Sequence, residues 1–527
     1  MKNSFLNAIS IAGILIFLLI NNSCKNPVEG LSVTLNTNLT QSNYGVKVAN
    51  GNPDINEIPQ SLKIKIVGTG ANYIFNSDGT KNFTAENGIF SLILSPGIKP
   101  TSDNPIRFTI LIESDGYLKS VYPIEINDEG NKIFDINMVK LSSPPKGVSL
   151  KEDIVYLPSN GELPAAKIIT IPLSSGKQET AKIEMEEGTK MFDENGTVIT
   201  GNVTVSMVHF DNRSYESLNS FPGGFTATNL IDEKGLAMEP VVFESAGFMS
   251  VEISNGSQSV KSFSKPVNIT MEINEATVNP ETGNVVKEGD SIPSWSLDTK
   301  TGQWKKEAIA IFGRNATTNK LEAVMSVPHL SWWNLDYYYS SCVVGSTITL
   351  RTNLTTPAYR YMELVNADNS IFRNTTESVT NGNVIRFYRA PINKRVKLKV
   401  YSGINYYNKG TLIAETPIFL MCGNNINLNL ILPLPTIFNV DIAGNCEVGG
   451  RKLLPSIWIY YREKNSYYWN VLGFMNNGKI STDRFVLGRS YIFATFYSGR
   501  WYEYERIIDK TNYKEIMSLP FGTAGCR

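Results

Sequence analysis

The chain has 527 residues, of which 42% are hydrophobic and 10% aromatic, so it can bury several apolar cores. Lysine plus arginine equals aspartate plus glutamate, at 49 each, and this balance argues against a nucleic-acid-binding protein, which needs a basic surface. Once a leader is removed, a rule of roughly 100 to 200 residues per domain predicts three to five domains.

The chain opens with an export signal. A charged start is followed by an apolar run from Ile9 to Ile20, then Ser23 and Cys24, and this run is too short for a comfortable membrane span. We predict a lipoprotein signal peptide at 1–23, diacylglycerol on the thiol of Cys24 and a polar tether over 24–30. The loose box ending in Ser-Cys resembles the lipoproteins of Bacteroidetes, which implies lipid attachment to the outer membrane, at the cell surface or facing the periplasm. Ordinary secretion without lipid is the alternative.

Residues 31–145 alternate apolar and polar side chains in the manner of β-strands. SLKIKIVG, GIFSLILSPG and IRFTILIESDGY each place apolar side chains at every second position, with turn residues at their ends. The order of strand, turn at Asn76-Ser-Asp-Gly and further strand resembles the transthyretin-like modules related to the carboxypeptidase regulatory domain. We therefore predict a β-sandwich that ends in a linker at Pro144-Pro145, since adjacent prolines break a hydrogen-bonded ladder.

Residues 150–340 carry the most specific pattern. Strands are predicted at 202–210, 247–253 and 266–273, followed by a hairpin with Trp295 and Trp304 on its two strands, and the segment ends in PHLSWWNLD. This order is similar to a family of β-rich bacterial surface proteins whose terminal box often reads V-S-H-F-S-F-W-N-C-D, and to a module of cartilage intermediate layer protein. Leu335 stands where the family often has cysteine. The resemblance implies an extracellular scaffold.

The last third of the chain holds four cysteines. Cys342 and Cys422 are 80 positions apart, and so are Cys446 and Cys526. In an exported chain an even count favours disulfides, and of three possible connectivities the equal spacing favours Cys342 with Cys422 and Cys446 with Cys526. Asn-Gly precedes Tyr-Ser-Gly by 20 positions in both segments, which predicts two copies of one β-sandwich at 341–430 and 431–527.

Residues suited to catalysis are scarce. The chain has only two histidines, His209 and His329, and neither lies in a metalloprotease or hydrolase motif. His329 could act as a base or ligand with Asp336, but we favour a structural histidine that fixes a strand end through backbone hydrogen bonds. We predict no metal, no cofactor and no enzymatic activity. A glycosidase built from two carboxylates is the open alternative.

Aromatic residues are concentrated in the segment 431–527. Exposed aromatic rows stack on sugar rings and also suit protein partners, so Trp458, Trp469 and Tyr502 are the candidate ligand-binding residues. The alternative is that half of these rings fill a core and the rest cover a neighbouring domain. For Trp332 and Trp333, which point to opposite faces of a strand, we predict one ring in a core and one at an interface.

Together these features predict an all-β chain of tandem β-sandwich modules, Ig-like and transthyretin-like, in an elongated array. The predicted function is that of a non-catalytic envelope lipoprotein in binding, adhesion or an accessory role in an envelope complex, with a protein or glycan partner outside the cell. The alternatives are a carbohydrate-binding accessory protein, a glycan hydrolase and a purely structural spacer. Asp290-Ser291-Ile292 resembles the O-glycosylation signal of the Bacteroidetes periplasm.

Overall fold

The computed structural model describes residues 34–36, 42–173, 179–222, 224–256, 258–432, 435–446, 451–497 and 500–519. Almost all regular structure in these residues is β-strand, with one short helix, α1 (Tyr215–Leu218), and a 3-10 turn at Ala71–Tyr73. The prediction of an all-β chain of tandem β-sandwiches is confirmed. The predicted signal peptide, Cys24 with its tether, and Cys526 lie outside the described residues.

The first sandwich packs two sheets around one apolar core. The strands of this region are β1 (Thr34–Asn36), β2 (Asn43–Asn50), β3 (Lys63–Val67), β4 (Ile74–Asn76), β5 (Ile89–Leu94), β6 (Ile106–Glu113), β7 (Ser120–Ile126) and β8 (Lys132–Met138). One sheet has the order β4-β5-β2-β8 and the other the order β3-β6-β7. Alternate residues such as Val46, Leu92 and Ile110 fill the core, as the period of two in the sequence predicts.

The central sandwich is larger. Its strands are β9 (Val148–Leu157), β10 (Lys167–Thr170), β11 (Ala181–Met185), β12 (Met191–Phe192), β13 (Gly201–Phe210), β14 (Thr226–Ala227), β15 (Leu230–Ile231), β16 (Ala237–Met238), β17 (Val241–Ser254), β18 (Ser262–Glu272), β19 (Ser291–Asp298), β20 (Gln303–Arg314), β21 (Leu321–His329) and the first part of β22 (Trp332–Thr352). One sheet runs β10-β11-β18-β21-β20 and the other β19-β22-β17-β13-β9. β20 joins the two sheets, because it pairs with β19 over most of its length and with β21 at its end.

Strand β22 couples the central sandwich to the third. It extends for 21 residues through the predicted boundary between 340 and 341. Up to Ser340 it pairs with β17, and from Ser341 it pairs with strands of the third sandwich. Those strands are β23 (Ala358–Val365), β24 (Ile371–Val379), β25 (Val384–Pro391), β26 (Arg395–Tyr401), β27 (Leu412–Glu415), β28 (Phe419–Leu420) and β29 (Asn425–Leu430). Because one strand belongs to both sheets, this joint contains no linker.

The fourth sandwich repeats the topology of the third. Its strands are β30 (Phe438–Cys446), β31 (Lys452–Leu454), β32 (Ile457–Glu463), β33 (Asn470–Met475), β34 (Lys479–Thr482), β35 (Ser490–Tyr497), β36 (Arg500–Ile507) and β37 (Asn512–Leu519). The third sandwich packs β25-β22-β29 on β24-β23-β26-β27, and the fourth packs β34-β30-β37 on β33-β32-β35-β36. In both, the first strand pairs with the last in parallel.

The first sandwich shares this arrangement. Its first strand β2 lies between β5, which is antiparallel, and its last strand β8, which is parallel. It differs at its third strand, since β4 pairs with β5 and so leaves the sheet that contains β3. Apart from this one strand, three of the four sandwiches share one strand order, whereas the sequence predicts a repeat only for the third and fourth.

The disulfide between Cys342 and Cys422 is confirmed. Cys446 is also disulfide-bonded, and its predicted pairing with Cys526 stays a prediction because Cys526 is not described. The cysteines do not follow the repeat of the fold: the Asn-Gly landmarks are offset by 96 positions (381 to 477) and the cysteines by 104 (342 to 446). The two cysteines therefore lie at different places in the first strand of their sandwiches. Cys342 lies before the part of β22 that pairs with the last strand β29, which begins at Thr347, whereas Cys446 is the last residue of β30.

The prediction of an elongated row of modules needs a correction, because the first sandwich packs against the fourth. β1 pairs in parallel with β31, and Ile89 of the first sandwich shares a buried cluster with Trp458, Tyr460 and Trp469 of the fourth. The first sandwich also packs on the outer face of the central one and forms an ion pair with Arg389 of the third. Outward-facing aromatic rings keep their apolar surface exposed in an extended row, and folding back removes that surface from water.

Candidate functional site

His329, the last residue of β21, pairs with a carboxylate other than the expected one. Its Nε2 lies 2.9 Å from Oε1 of Glu307, and Ser296 Oγ donates to the same oxygen at 2.7 Å. Lys305 Nζ donates to the second oxygen at 2.9 Å. Burial alone would raise the pKa of Glu307, but these donors outweigh it and lower the pKa to about 2. The strand end is thus held by a hydrogen bond between the His329 ring and Glu307, whereas the sequence predicts hydrogen bonds to the backbone or, as the alternative, a pairing with Asp336.

Asp336 is fully buried at the middle of the central sandwich. Neither of its carboxylate oxygens makes a well-formed hydrogen bond to a described residue. Burial raises the pKa of Asp336 to about 7, against a smaller lowering by the neighbouring Ser245 and Asn334. A pKa near neutrality suits a general acid or base, but a side chain without exposed surface cannot reach a substrate. Asp336 is therefore a core residue whose burial lowers the stability of the folded chain when its carboxyl is ionised.

The two tryptophans of the box point to opposite faces of β22, as predicted. Trp333 joins the core between the two sheets of the central sandwich, and its ring lies 5.1 Å from the ring of His329. Trp332 belongs to the outer cluster that contains Val121 of the first sandwich. One ring therefore fills a core and the other an interface. The second histidine, His209, is buried on β13.

Two of the three candidate ligand-binding residues are covered by another part of the chain. Trp458 and Trp469 are 8% and 6% exposed, and they pack with Tyr460 against Ile89 of the first sandwich. The prediction that they form an exposed aromatic row is therefore wrong, and the alternative of rings that cover a neighbouring domain applies. Tyr502 differs from both, since it is 48% exposed on β36.

We call the contact between the first and fourth sandwiches the seam. Besides its apolar rings, the seam contains hydrogen bonds to backbone carbonyls. Trp458 Nε1 donates to the carbonyl of Asn43 at 3.3 Å, and the Tyr468 hydroxyl donates to the carbonyl of Pro53 at 2.7 Å. Each bond satisfies a polar atom that would otherwise be buried unpaired, so the rings are fixed in one arrangement.

Strand β36 forms an exposed edge of the fourth sandwich. It pairs with β35, and no other described strand lies beside it, so one side of its backbone is unpaired within the described chain. Tyr502, Tyr504 and Ile507 are 48%, 59% and 61% exposed. Arg506 lies beside the ring of Tyr504 and forms an ion pair with Glu515. As alternation predicts, Tyr502, Tyr504 and Arg506 share one face of the strand.

A pocket of about 200 Å³ opens where the first, central and third sandwiches meet, and we call it the junction pocket. Each of the three sandwiches contributes to its wall. Most of the residues that line it are aromatic or carry polar side chains, including Tyr122, Asn127, Phe134, Thr226, Thr228 and Tyr388, and Pro123 and Ile124 complete the wall. Pockets at domain junctions that combine apolar walls with a few polar groups are typical small-ligand sites.

Buried charges form one side of the junction pocket. Arg389 Nε donates to Glu125 Oε1 at 2.8 Å, and Arg107 Nε donates to Oε2 at 2.8 Å. Burial alone would raise the pKa of Glu125, but the two guanidinium groups outweigh it and lower the pKa. Arg389 has a backbone φ of +49°, in a region that favours glycine. The structure around the ion pair holds this strained conformation.

The sequence reasoning missed the junction pocket, although one signal was present. In VIRFYRA, Arg389 is two and four positions after Phe387 and Ile385, so its side chain points to the same face of the strand as these two buried residues. A charged side chain at an inward position needs a buried partner. That partner, Glu125, is 264 positions away in the chain, so no spacing in the sequence points to it.

The predicted glycosylation triplet lies at the surface of the central sandwich. Ser291, of the glycosylation triplet, is exposed at the first residue of β19. Within the described ranges, no group of three or more His, Cys, Asp and Glu side chains is placed to hold a metal ion. In the same part of the chain, no helix is long and apolar enough to span a bilayer.

No model of a known protein family matches the chain, and no curated protein matches it. Among solved structures it is similar to the TIE protein of Bacillus anthracis, with 10% identity over 72% of this chain and 58% of that one, at a TM-score of 0.13. It is also similar to the major pilin subunit of Bacillus cereus, with 9% identity over 74% of this chain and 99% of that one, at a TM-score of 0.12. A third is the pilus adhesin SpaC of Lactobacillus rhamnosus GG, with 9% identity over 87% and 55% of the two chains and a TM-score of 0.11. At these TM-scores the similarities assign no function.

Proposed function

We propose that this chain is a non-catalytic binding protein of the cell envelope, attached by lipid on Cys24, that presents a fixed surface to a protein partner outside the cell. The observation that carries the proposal is the seam, in which Trp458 and Trp469 are buried by the first sandwich. The seam, the shared strand β22 and the ion pair between Arg389 and Glu125 connect all four sandwiches. A rigid body holds its binding surface in place, so binding costs little conformational entropy.

The surface that we assign to the partner is the edge strand β36. Tyrosine and arginine are enriched in protein interfaces, and Tyr502, Tyr504 and Arg506 supply both on one face. An unpaired strand edge also offers backbone groups, to which a partner can add an extended segment. An edge strand with exposed aromatic side chains is therefore suited to a protein partner.

Two observations weigh against the alternatives. Carbohydrate binding by the aromatic row would need Trp458 and Trp469, which are covered. A hydrolase would need an accessible acid of suitable pKa, whereas Asp336 is inaccessible and Glu307 is held ionised by its donors. These facts favour binding by the β36 edge over sugar stacking or hydrolysis in the same regions.

The test uses the full-length chain in its native membrane. The double variant Tyr502→Ser with Tyr504→Ser removes two exposed rings and leaves every core unchanged. After mild detergent extraction and native electrophoresis, we expect the wild-type chain in an assembly larger than the monomer and the double variant at the monomer position. Tyr467→Ser is the matched control, since Tyr467 is 63% exposed in the same sandwich but outside β36, and it should migrate as the wild type.

Equal migration of the double variant and the wild type would contradict the proposal. A glycan array with the full-length chain gives the competing result: sugar binding that is lost in the double variant would assign β36 to carbohydrate. The lipid anchor is tested separately, because Cys24→Ser should move the chain from the membrane to the soluble fraction, and mass spectrometry of the mature terminus identifies the acyl chains.

A further inference from the structure

We propose that the partner of the β36 edge is an extended protein segment in which basic residues alternate with aromatic or β-branched residues. The proposal rests on the binding function assigned above and adds the chemistry of the partner. Three observations carry it: the long regular edge of β36, the acidic side chains on one face of the strand and the tyrosines on the other face. Each of them favours one property of the incoming segment.

The edge of β36 is long and regular. All eight residues of the strand pair with β35 in one unbroken register, from Ser490 opposite Ile507 to Tyr497 opposite Arg500. Several other edge strands are less open to a partner: β10, β27 and β34 have four residues each, β7 contains Pro123, and the pairings of β24 and β33 contain a register shift. Short strands, prolines and bulges are devices that protect a sheet edge. β36 has none of these three, so an extended segment can pair along its length.

One face of β36 is acidic. By alternation, Glu503 and Glu505 share this face with Trp501. Glu503 is exposed near the middle of the strand, and its Oε1 accepts a hydrogen bond from the Trp501 indole at 2.6 Å. Within the described chain, no lysine or arginine forms an ion pair with Glu503. Glu505 forms an ion pair with Lys464 at 2.7 Å. The face therefore carries two carboxylates and one paired cation.

The geometry of a sheet converts this acidic face into a pattern in the partner. A residue of an added strand points to the same face as the residue of β36 that it lies opposite. Glu503 and Glu505 are two positions apart, so basic residues at every second position of the segment meet both carboxylates. Opposite charges in facing positions stabilise strand pairing, and like charges destabilise it. An acidic segment is disfavoured for the same reason.

The other face of β36 favours apolar side chains. Tyr502 and Tyr504 are 48% and 59% exposed, and the alternate residues of an added segment lie against their rings. Aromatic and β-branched side chains pack well in such cross-strand positions. Arg506 is also on this face, where its guanidinium is paired with Glu515. A basic residue on this face would meet a cation whose carboxylate is already engaged.

The charges around the edge leave Glu503 as the group for a cation of the partner. β35 carries no charged residue. Three cations of the surrounding strands and loops already have acidic partners: Arg489 with Glu463, Lys464 with Glu505, and Arg506 with Glu515. Lys510 lies against the ring of Tyr513, whose hydroxyl donates to Asp509 in the same turn. Lys514 alternates with Glu515 and so points to the other face of β37.

The experiment measures peptide binding to the full-length chain in detergent by fluorescence anisotropy. Three labelled peptides match the eight residues of β36, and each alternates valine and tyrosine with one further residue, which is lysine, glutamate or threonine. We expect the lysine peptide to bind at least about tenfold more tightly than the glutamate peptide, with the threonine peptide between them. The difference should decrease when the salt concentration rises from about 50 mM to about 500 mM, because exposed charges are screened.

Charge variants locate the preference on β36. Glu503→Lys should reverse it, so that the glutamate peptide binds more tightly than the lysine peptide, and Glu503→Gln should reduce it. Both variants should keep the wild-type melting temperature, since the side chain is exposed. Glu415→Lys is the matched control, because Glu415 is exposed on β27, an edge strand of the third sandwich, and this variant should keep the wild-type preference.

The proposal is overturned if no peptide binds, if the glutamate or threonine peptide binds the wild type as tightly as the lysine peptide, or if Glu503→Lys keeps the wild-type preference. The electrophoretic test separates these outcomes from a failure of the binding function itself. An assembly that is lost in the double variant Tyr502→Ser with Tyr504→Ser, together with no preference for lysine, would mean that β36 binds a partner of different chemistry. Equal migration of the double variant and the wild type would overturn both proposals.

Discussion

Replacing Asp336 by asparagine should stabilise the protein above neutral pH. In the folded chain the carboxyl is fully buried, and its pKa is raised from 3.8 to about 7. Between these two values the folded chain holds a proton that the unfolded chain has released, so the free energy of unfolding falls as the pH rises. Asparagine has nearly the shape of the protonated acid and carries no charge at any pH, so the variant escapes this loss.

The size of the expected stabilisation follows from the shift in the pKa of Asp336. The folded pKa is about three units above the unfolded pKa, and at about 1.4 kcal/mol per unit this corresponds to roughly 4 kcal/mol of unfolding free energy. The loss begins near pH 4 and is complete above pH 7. Asp336→Asn should therefore match the wild type at pH 4 and exceed it by about 4 kcal/mol at pH 8.

The assay is urea unfolding followed by tryptophan fluorescence at pH 4 and pH 8. Four of the seven tryptophans lie in the central sandwich, and the indole of Trp295 donates to the backbone carbonyl of Asp336 at 3.1 Å, so a large part of the signal comes from this region. Glu307→Gln is a control of opposite sign: the folded pKa of Glu307 is lowered from 4.5 to about 2, so the stability that the carboxylate contributes is complete above pH 4.5 and is lost between pH 4.5 and pH 2. The variant should therefore be less stable than the wild type at pH 8, and this deficit should be somewhat smaller at pH 4. If Asp336→Asn raises the free energy of unfolding equally at both pH values, or does not raise it at pH 8, the reasoning is refuted.

Three further changes test the packing. Gly45→Val should open the seam, because a Cβ at Gly45 would clash with Ile133, which packs against the seam cluster, and would lie 2.7 Å from the Tyr460 hydroxyl of the fourth sandwich. Small-angle scattering should show a larger radius of gyration, and Gly313→Val, where a Cβ meets nothing within 4 Å, should not change it. Removing the bridge between Cys342 and Cys422 by serine substitution should lower stability by about 4 kcal/mol, as its sequence separation of 80 implies, and equal urea midpoints with and without the bridge would contradict this. Trp333→Ala should cost roughly 3 kcal/mol or more, since the ring is 1% exposed, and a smaller loss in urea unfolding would mean that the core closes around the cavity.

Several features were accessible from the sequence because they are local. Alternation of apolar side chains has a period of two, which identifies strands without knowledge of their partners. The hairpin that carries Trp295 and Trp304 is contained in one short stretch, and the structure pairs its strands β19 and β20 as expected. Equal spacing of cysteines pointed to the bonded pair Cys342 and Cys422. The opposite faces of Trp332 and Trp333 follow from strand geometry alone.

Other features depended on which faces meet in space, and the pattern of a strand does not contain that information. The sequence pattern of an outward-facing ring is the same whether water or another sandwich covers the ring. The sequence therefore leaves open whether Trp458 and Trp469 form an exposed row or cover a neighbouring domain, and the structure shows that the first sandwich buries them. The partner of His329 lies across a strand pair, on Glu307, and the partner of Arg389 lies 264 positions away. These contacts arise from long-range packing, which forms because apolar faces left by each sandwich are removed from water only by a neighbour. Alternation along the sequence determined the strands, and the burial of faces between sandwiches determined where the sites lie.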